Sequence, residues 1–149
     1  MSLNVKPTEQ VAILAGLNPA SQAAGTANSG WVLMSQFQKL LALVQVGVFG
    51  ASATVDAKLQ QATSSGGAGA KDITGKALTQ LLAAGGNNVQ AEINLDAQEL
   101  DVNGGFEYVQ LSITVGTAAT VIGGALIGFG ARLAPASDFN NASVAQIVG

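Results

Sequence analysis

The chain has 149 residues, of which 48% are hydrophobic and 10% are charged. Soluble domains carry about 25% charged residues, so this chain is unusually poor in charge. The length fits one domain, and the hydrophobic fraction excludes a disordered, highly charged polypeptide. Six basic and nine acidic residues give a net charge of −3, which argues against a nucleic-acid partner.

Histidine and cysteine are both absent. The missing imidazole and thiol exclude Ser-His-Asp and Cys-His catalysis and zinc sites built from Cys and His. We therefore expect a protein that is not an enzyme, with no catalytic residue, no cofactor and no metal. The most apolar stretches, 40–51 and 120–131, are much shorter than the ~20 residues of a spanning helix, so we expect no membrane partner.

Residues 1–30 are predicted to form an extended N-terminal arm, followed by one domain over residues 31–149. The stretch 20–30 is small and polar, and the arm has one short apolar island at 11–14. Such a segment either lies across a neighbouring subunit or is a frayed terminus followed by an edge strand.

From residue 31 the pattern becomes typical of β-strands. The segments 31–37 and 40–49 are rich in β-branched and aromatic residues, and 52–62 alternates between polar and apolar side chains, which predicts a strand with one wet face. The composition of 63–69 predicts a loop. The segment 70–84 fits either a short helix or a strand.

The second half continues in the same way. Residues 89–95 and 106–115 alternate, and Asn103-Gly104-Gly105 between them predicts a hairpin with a type I′ turn. Thr120–Ala131 is predicted as an apolar strand whose glycines mark bulges or close backbone approach, and 143–148 as a last short strand. Six to eight strands with little helix indicate an all-β fold, an antiparallel sandwich or barrel.

Asp96, Glu99 and Asp101 are the main candidates for a site, since they lie close together between two predicted strands. Several oxygens from one loop would suit calcium. The spacing lacks the order of a known calcium loop, however, so a solvated acidic turn is favoured. The same carboxylates would also suit salt bridges with the lysines of a partner.

Two glycine-containing motifs do not support phosphate binding. Gly75-Lys76 would need a glycine at position 70 and a Ser or Thr at position 77, and both are alanine. The run 66–69 lacks the dinucleotide-binding spacing. Lys71 and Lys76 are expected to be solvated or to contact an acidic neighbour.

Aromatic side chains are few. Trp31 stands where the predicted arm meets the sheet, so it either anchors the arm or belongs to the core. A sugar-binding groove would require the convergence of Trp31, Phe37, Tyr108, Phe129 and Phe139.

Three segments carry a resemblance to a known family. They are DAKLQQATSSGGAGAKDITGKALTQL (56–81), ELDVNGGFEYVQLSITVGTA (99–118) and ARLAPASDFNNASVAQIV (131–148). Together they resemble the capsid decoration (cement) proteins of tailed bacteriophages. The resemblance covers roughly residues 50–148.

The resemblance implies a jelly-roll-like β-sandwich that cements the capsid by binding across joints between subunits of the major capsid protein. It also implies that the protein forms a homodimer or homotrimer. The protein would be made in the host cytoplasm and would lie on the capsid surface of the virion. Two alternatives remain open at this point: another virion component, such as a head fibre, neck or tail protein, and a carbohydrate-binding β-sandwich module.

Overall fold

The computed structural model describes residues 4–149, and nearly all regular structure in that range is β. A four-residue helix, α1 (Pro7–Gln10), precedes the first strand, and short 3-10 turns lie between several others. No helix in the described range is long and apolar enough to span a membrane. The strands are β1 (Val11–Gln22), β2 (Gly25–Asn28), β3 (Val32–Leu33), β4 (Phe37–Val46), β5 (Thr54–Ala62), β6 (Lys71–Ala77), β7 (Leu81–Leu82), β8 (Val89–Asp96), β9 (Tyr108–Gly116) and β10 (Thr120–Ala131).

The strands form two sheets. Sheet I has the order β1-β10-β4-β8, and sheet II has the order β2-β9-β5-β6, with β3 and β7 as short additions beside β9 and β5. The strand pairs are antiparallel, and the chain crosses repeatedly from one sheet to the other. A four-stranded and a six-stranded antiparallel sheet connected in this way form a jelly-roll-like sandwich. The predicted all-β, jelly-roll-like antiparallel sandwich is therefore confirmed.

The core lies between the two sheets and is built by the alternation of side chains along each strand. Within the core, small alanines alternate with larger aliphatic side chains, so the two sheets fit together without many aromatic rings. Removing one such large aliphatic side chain from water contributes about 1.5–3 kcal/mol. Completely buried side chains come from the middle strands of both sheets: Ala42, Val44, Val55, Leu59, Val109, Leu111, Ile113 and Leu126.

The predicted strand over Thr120–Ala131 is confirmed as β10, and two of its glycines allow the close approach that the sequence indicates. A Cβ atom at Gly124 would lie 2.9 Å from the carbonyl oxygen of Leu43, and one at Gly128 would lie 2.7 Å from Cδ1 of Phe37. The ring of Phe37 therefore fills the space left by Gly128. Phe37 also packs edge-on against Phe139, with ring centroids 5.5 Å apart.

The N-terminal segment differs from the predicted arm. Residues 11–22 form β1, which pairs with β10 as an edge strand of sheet I, and residues 25–28 form β2 in sheet II. The predicted boundary at residue 30 falls between β2 and β3, which both pair with β9. For residues 11–28 the edge-strand alternative is the correct one, because their hydrogen bonds belong to the sandwich. The first three residues of the predicted arm lie outside the described range.

Two local predictions are wrong. Asn103-Gly104-Gly105 makes a turn, but it joins β8 of sheet I to β9 of sheet II instead of forming a hairpin. Of the three residues only Gly105 has a positive φ, of 79°, whereas a type I′ turn requires two. Residues 143–148 form no strand. The ambiguous stretch 70–84 contains strands β6 and β7 and a 3-10 turn.

Candidate interaction surface

The three candidate carboxylates are each bound by a lysine of the same chain. Lys39 and Asp96 face each other on neighbouring strands of sheet I. Lys71 and Lys76 belong to β6 of sheet II and reach the connection between β8 and β9, so these two pairs form only when the sheets come together. The nitrogen–oxygen distances are 2.6 Å for Lys39–Asp96, 3.0 Å for Lys76–Glu99 and 2.7 Å for Lys71–Asp101. These carboxylates therefore form salt bridges within the chain, whereas the sequence suggested them for the lysines of a partner.

Hydrogen bonds lower the pKa of two of these carboxyl groups. The backbone N–H of Asp96 and then the Lys76 ammonium lower the pKa of Glu99. The Lys71 ammonium, followed by the backbone N–H of Gly104, lowers the pKa of Asp101.

The structure does not bring the acidic residues together as a cation site. Within residues 4–149 no group of three acidic, His or Cys side chains is arranged to hold a metal ion. The Lys71 ammonium also lies 4.1 Å from the centroid of the Phe106 ring. This contact holds the ammonium beside the loop between β8 and β9. Gly75-Lys76 lies in strand β6 and not in a phosphate-binding loop. Through Lys71 and Lys76, strand β6 is tied to the connection between β8 and β9.

Trp31, Phe37 and Phe139 line one small pocket, but Tyr108 and Phe129 do not join them. Phe37 is buried, and Phe139 packs against it. Trp31 is half-buried, beside Gly67, where a Cβ atom would lie 2.7 Å from the indole Nε1. By strand alternation, Tyr108 faces outward from sheet II and Phe129 faces outward from sheet I. Trp31 therefore anchors the loop 63–69, and the aromatic groove required for sugar binding is not assembled.

The outer face of sheet II is polar and hydrogen-bonded along its length. Its side chains carry hydroxyl, amide and charged groups, and they form hydrogen bonds with one another across neighbouring strands, as is usual for a solvent-exposed surface. The Lys58 ammonium, followed by the Gln60 amide, lowers the pKa of Asp72. The contacts are Thr26–Thr114 at 2.9 Å, Gln110–Gln60 at 3.0 Å, Gln60–Asp72 at 3.1 Å, Lys58–Asp72 at 3.0 Å and Gln80–Asp56 at 2.8 Å.

The outer face of sheet I is apolar across three strands. In one cross-strand row Ile13 faces Ile127, which faces Leu41. In the neighbouring rows Val11 faces Phe129, and Ala125 faces Leu43. Ile13 is 42% exposed and Val121 is 37% exposed, while the others are half-buried. This surface, called the apolar face below, consists of Val11, Ile13, Leu41, Leu43, Val121, Ala125, Ile127 and Phe129.

A shallow groove of about 770 Å³ borders the apolar face. Leu41 and Phe129 line it on one side, and Glu92 and Asn94 of strand β8 line it on the other. The apolar face thus continues into a polar margin. Contiguous exposed apolar patches with a polar rim are typical of protein–protein contact sites, so sheet I is the candidate interaction surface.

The sequence contains a signal for the apolar face. An antiparallel strand with one solvated face alternates between polar and apolar residues, whereas a strand covered on both faces is apolar throughout. The run Thr120–Ala131 is apolar at nearly every position, as is Leu40–Val44. Both runs are predicted above as strands and are too short for a membrane span, but no exposed apolar surface was predicted from them. Their continuity instead identifies β10 and β4 as strands with apolar residues on both sides.

No protein-family model and no curated protein matches the chain. Among solved structures, it is similar to the SPBc2 prophage-derived protein YomS, at 14% identity over 84% of this chain and 100% of that one, with a TM-score of 0.41. It is also similar to a chain of the Cowpea mosaic virus top component, at 9% identity over 85% of both chains, with a TM-score of 0.44. A CBM4 structure shares 12% identity over 76% of this chain and 79% of that one, with a TM-score of 0.42. Likeness at this level concerns the architecture and assigns no function.

Proposed function

We propose that the chain is a structural virion protein that decorates a phage capsid, where it binds across joints between subunits of the major capsid protein. The observation that carries the proposal is the contrast between the two outer faces of the sandwich. Sheet II presents a hydrogen-bonded polar surface, whereas sheet I presents the apolar face. The resemblance of residues 56–81, 99–118 and 131–148 to decoration proteins supplies the kind of partner.

In such binding, each molecule contributes only a small free energy of binding, but many molecules bind to equivalent positions on one particle. Each apolar side chain that leaves water contributes roughly 25 cal/mol per Å² of buried area. Part of that gain is lost to immobilisation of the bound molecule. A ligand that binds the assembled shell more tightly than its separated subunits stabilises the shell by mass action. Occupation of many equivalent joints on one particle then adds up to a large effect.

The proposal includes no catalytic role. The chain contains neither histidine nor cysteine, and the three candidate carboxylates, Asp96, Glu99 and Asp101, are each bound by a lysine. In the virion the protein would lie on the capsid surface, after synthesis in the host cytoplasm.

Substitutions on the two faces test the proposal by co-sedimentation with capsids that lack the protein. Leu41→Glu and Ile127→Glu place a charge in the apolar face, and we expect each to weaken capsid binding roughly tenfold or more, since a carboxylate buried without a partner is costly. Thr26→Glu places the same charge on the exposed edge of sheet II and serves as the matched control. Equal binding by all three variants would contradict the proposal.

The number of copies per particle separates decoration from the alternative virion roles. A decoration protein is present in numbers comparable to those of the major capsid protein, whereas a neck or tail component is present in a few copies. Addition of the wild-type protein should also raise the temperature at which bare capsids open. Capsids that open at the same temperature with and without it would show that it does not cement the shell.

A further inference from the structure

Apart from the two-residue strands β3 and β7, the two sheets have four edge strands, and three of them are protected against pairing with another chain. Strand β1 carries Pro19 and two irregularities in its register with β10. The backbone of Ile13 in that strand is also occupied. Its N–H donates to Asn140 Oδ1 at 2.9 Å, and its carbonyl accepts from the N–H of Asn141 at 2.7 Å. Proline, bulges and covering segments are devices that block strand addition.

The two edges of sheet II are protected in other ways. Strand β6 has a register shift against β5, a positive φ of 77° at Gly75, and two lysines, Lys71 and Lys76. Strand β2 has only four residues. Short, bent or lysine-bearing edges offer little to a second strand.

Strand β8 is the exception. It pairs with β4 over eight consecutive residues without any irregularity, and its sequence, Val89–Asp96, contains no proline, lysine or glycine. In the described range its only neighbour within the sheet is β4. A long, regular edge of this kind presents a row of backbone N–H and C=O groups to another strand. At its last residue the N–H of Asp96 already donates to Glu99 Oε2 at 2.8 Å, so the available row runs from Val89 to Leu95.

We propose that two copies of this chain pair through β8, antiparallel and about a two-fold axis at Ile93. In this register Ile93 faces the partner's Ile93, and Ala91 faces the partner's Leu95 on the core side. On the outer side Glu92 faces the partner's Asn94, and Gln90 faces the partner's Asp96. Each carboxylate therefore stands opposite an amide that can donate a hydrogen bond to it.

The charges of β8 select this register. The core side of one copy continues into the core side of the other only when the register between the two β8 strands changes by two residues at a time, because side chains alternate with a period of two. An axis at Glu92 would place the carboxylates of two Glu92 side chains opposite each other. An axis at Asn94 would place Glu92 opposite the partner's Asp96, twice per dimer. Both registers are destabilised, because like charges lie directly opposite each other. An axis at Ala91 avoids like charges but leaves fewer residues of β8 paired.

Pairing through β8 would join two copies of sheet I into one eight-stranded sheet. The two-fold axis is perpendicular to that sheet, so both apolar faces lie on the same side. The proposed pairing through β8 does not depend on the proposed function. If that function also holds, the dimer presents two binding faces to the capsid at once.

Cross-linking tests the register directly, since the natural chain contains no cysteine. Opposed residues of antiparallel strands have Cα atoms about 4.5 to 5.5 Å apart, within the range of a disulfide. We expect a mixture of the Glu92→Cys and Asn94→Cys variants to form a disulfide-linked dimer under mild oxidation. A mixture of Glu92→Cys with Gln90→Cys is the matched control and should not. Cross-linking of the control pair, or of Glu92→Cys with itself, would overturn the Ile93-centred register.

Sedimentation equilibrium tests the dimer itself. The wild type should show twice the 14.8 kDa chain mass. Asn94→Glu places a carboxylate opposite Glu92 twice per dimer and should raise the dissociation constant about tenfold; Asn94→Lys should lower it. Gln45→Glu, on the outer side of β4 away from the edge, is the control and should leave it unchanged. A monomer, a trimer, or a dimer indifferent to position 94 would overturn the proposal.

Discussion

Phe37 packs against the bare backbone of Gly128, where a Cβ atom would lie 2.7 Å from Cδ1 of the ring. The two residues belong to neighbouring strands of sheet I, and the ring is only 2% exposed. Leu14 closes the same space from β1, with its Cδ1 2.9 Å from that position. The core at this point has no room for one additional methyl group.

Gly128→Ala should therefore destabilise the fold by about 1–3 kcal/mol, the usual cost of overpacking a filled core. Urea unfolding would show this as a lower midpoint at an unchanged slope. Gly30→Ala is the matched control, since a Cβ atom there has no neighbour within 4 Å and the backbone φ is not positive. The control should stay within about 0.5 kcal/mol of the wild type. An equal midpoint for both variants would show that the Phe37 ring moves aside freely.

Gly67→Ala should loosen the contact between Trp31 and the loop 63–69. Gly67 has a φ of 84°, which side chains other than glycine adopt with strain, and a Cβ atom would lie 2.7 Å from the indole Nε1. Because Trp31 is the only tryptophan, the fluorescence of the protein reports on the surroundings of this one side chain. We expect a red-shifted emission and a lower urea midpoint. At Gly66 no such φ occurs and the nearest atom is 3.8 Å away, so an identical shift in Gly66→Ala would refute the assignment.

Acid should weaken the fold through its ion pairs. The pKa values of Asp72, Glu99 and Asp101 are lowered from their ordinary values of 3.8 and 4.5. A carboxyl with a lowered pKa in the folded state contributes stability above its ordinary pKa and loses that contribution as the pH falls through the folded value. We therefore expect the urea midpoint to hold from neutral pH down to about 5 and to fall below about 4.5.

A single substitution isolates one of these pairs. Lys76→Met removes the ammonium that bonds Glu99 and should cost less than about 1 kcal/mol at neutral pH, since the carboxylate is partly exposed. It should also reduce the loss of stability between pH 5 and pH 3, a range set by ordinary carboxyl pKa values. Lys6→Met is the control because none of the ion pairs among residues 4–149 includes Lys6. An acid transition of unchanged size in Lys76→Met would show that this pair contributes nothing.

Local patterns in the sequence determined most of the strands. The alternation over 52–62 and 89–95 corresponds to β5 and β8, since a strand with one solvated face must repeat with a period of two. The glycines of β10 indicated close approach, because only glycine leaves such space. The low charge, and the absence of histidine and cysteine, limited the chemistry open to the chain. All of these conclusions depend on residues that are near neighbours in the chain.

Only the tertiary structure decided which strands pair and which surfaces remain open. Asn103-Gly104-Gly105 predicts a turn, but the partner of the following strand lies elsewhere in the chain, so the hairpin was wrong. The segment 11–22 reads equally well as an arm or an edge strand until β10 is placed beside it. The apolar runs 40–44 and 120–131 indicate strands that are apolar on both sides, but they do not say which side faces the core and which remains exposed. Pairing and burial depend on contacts between distant residues, which no local pattern encodes.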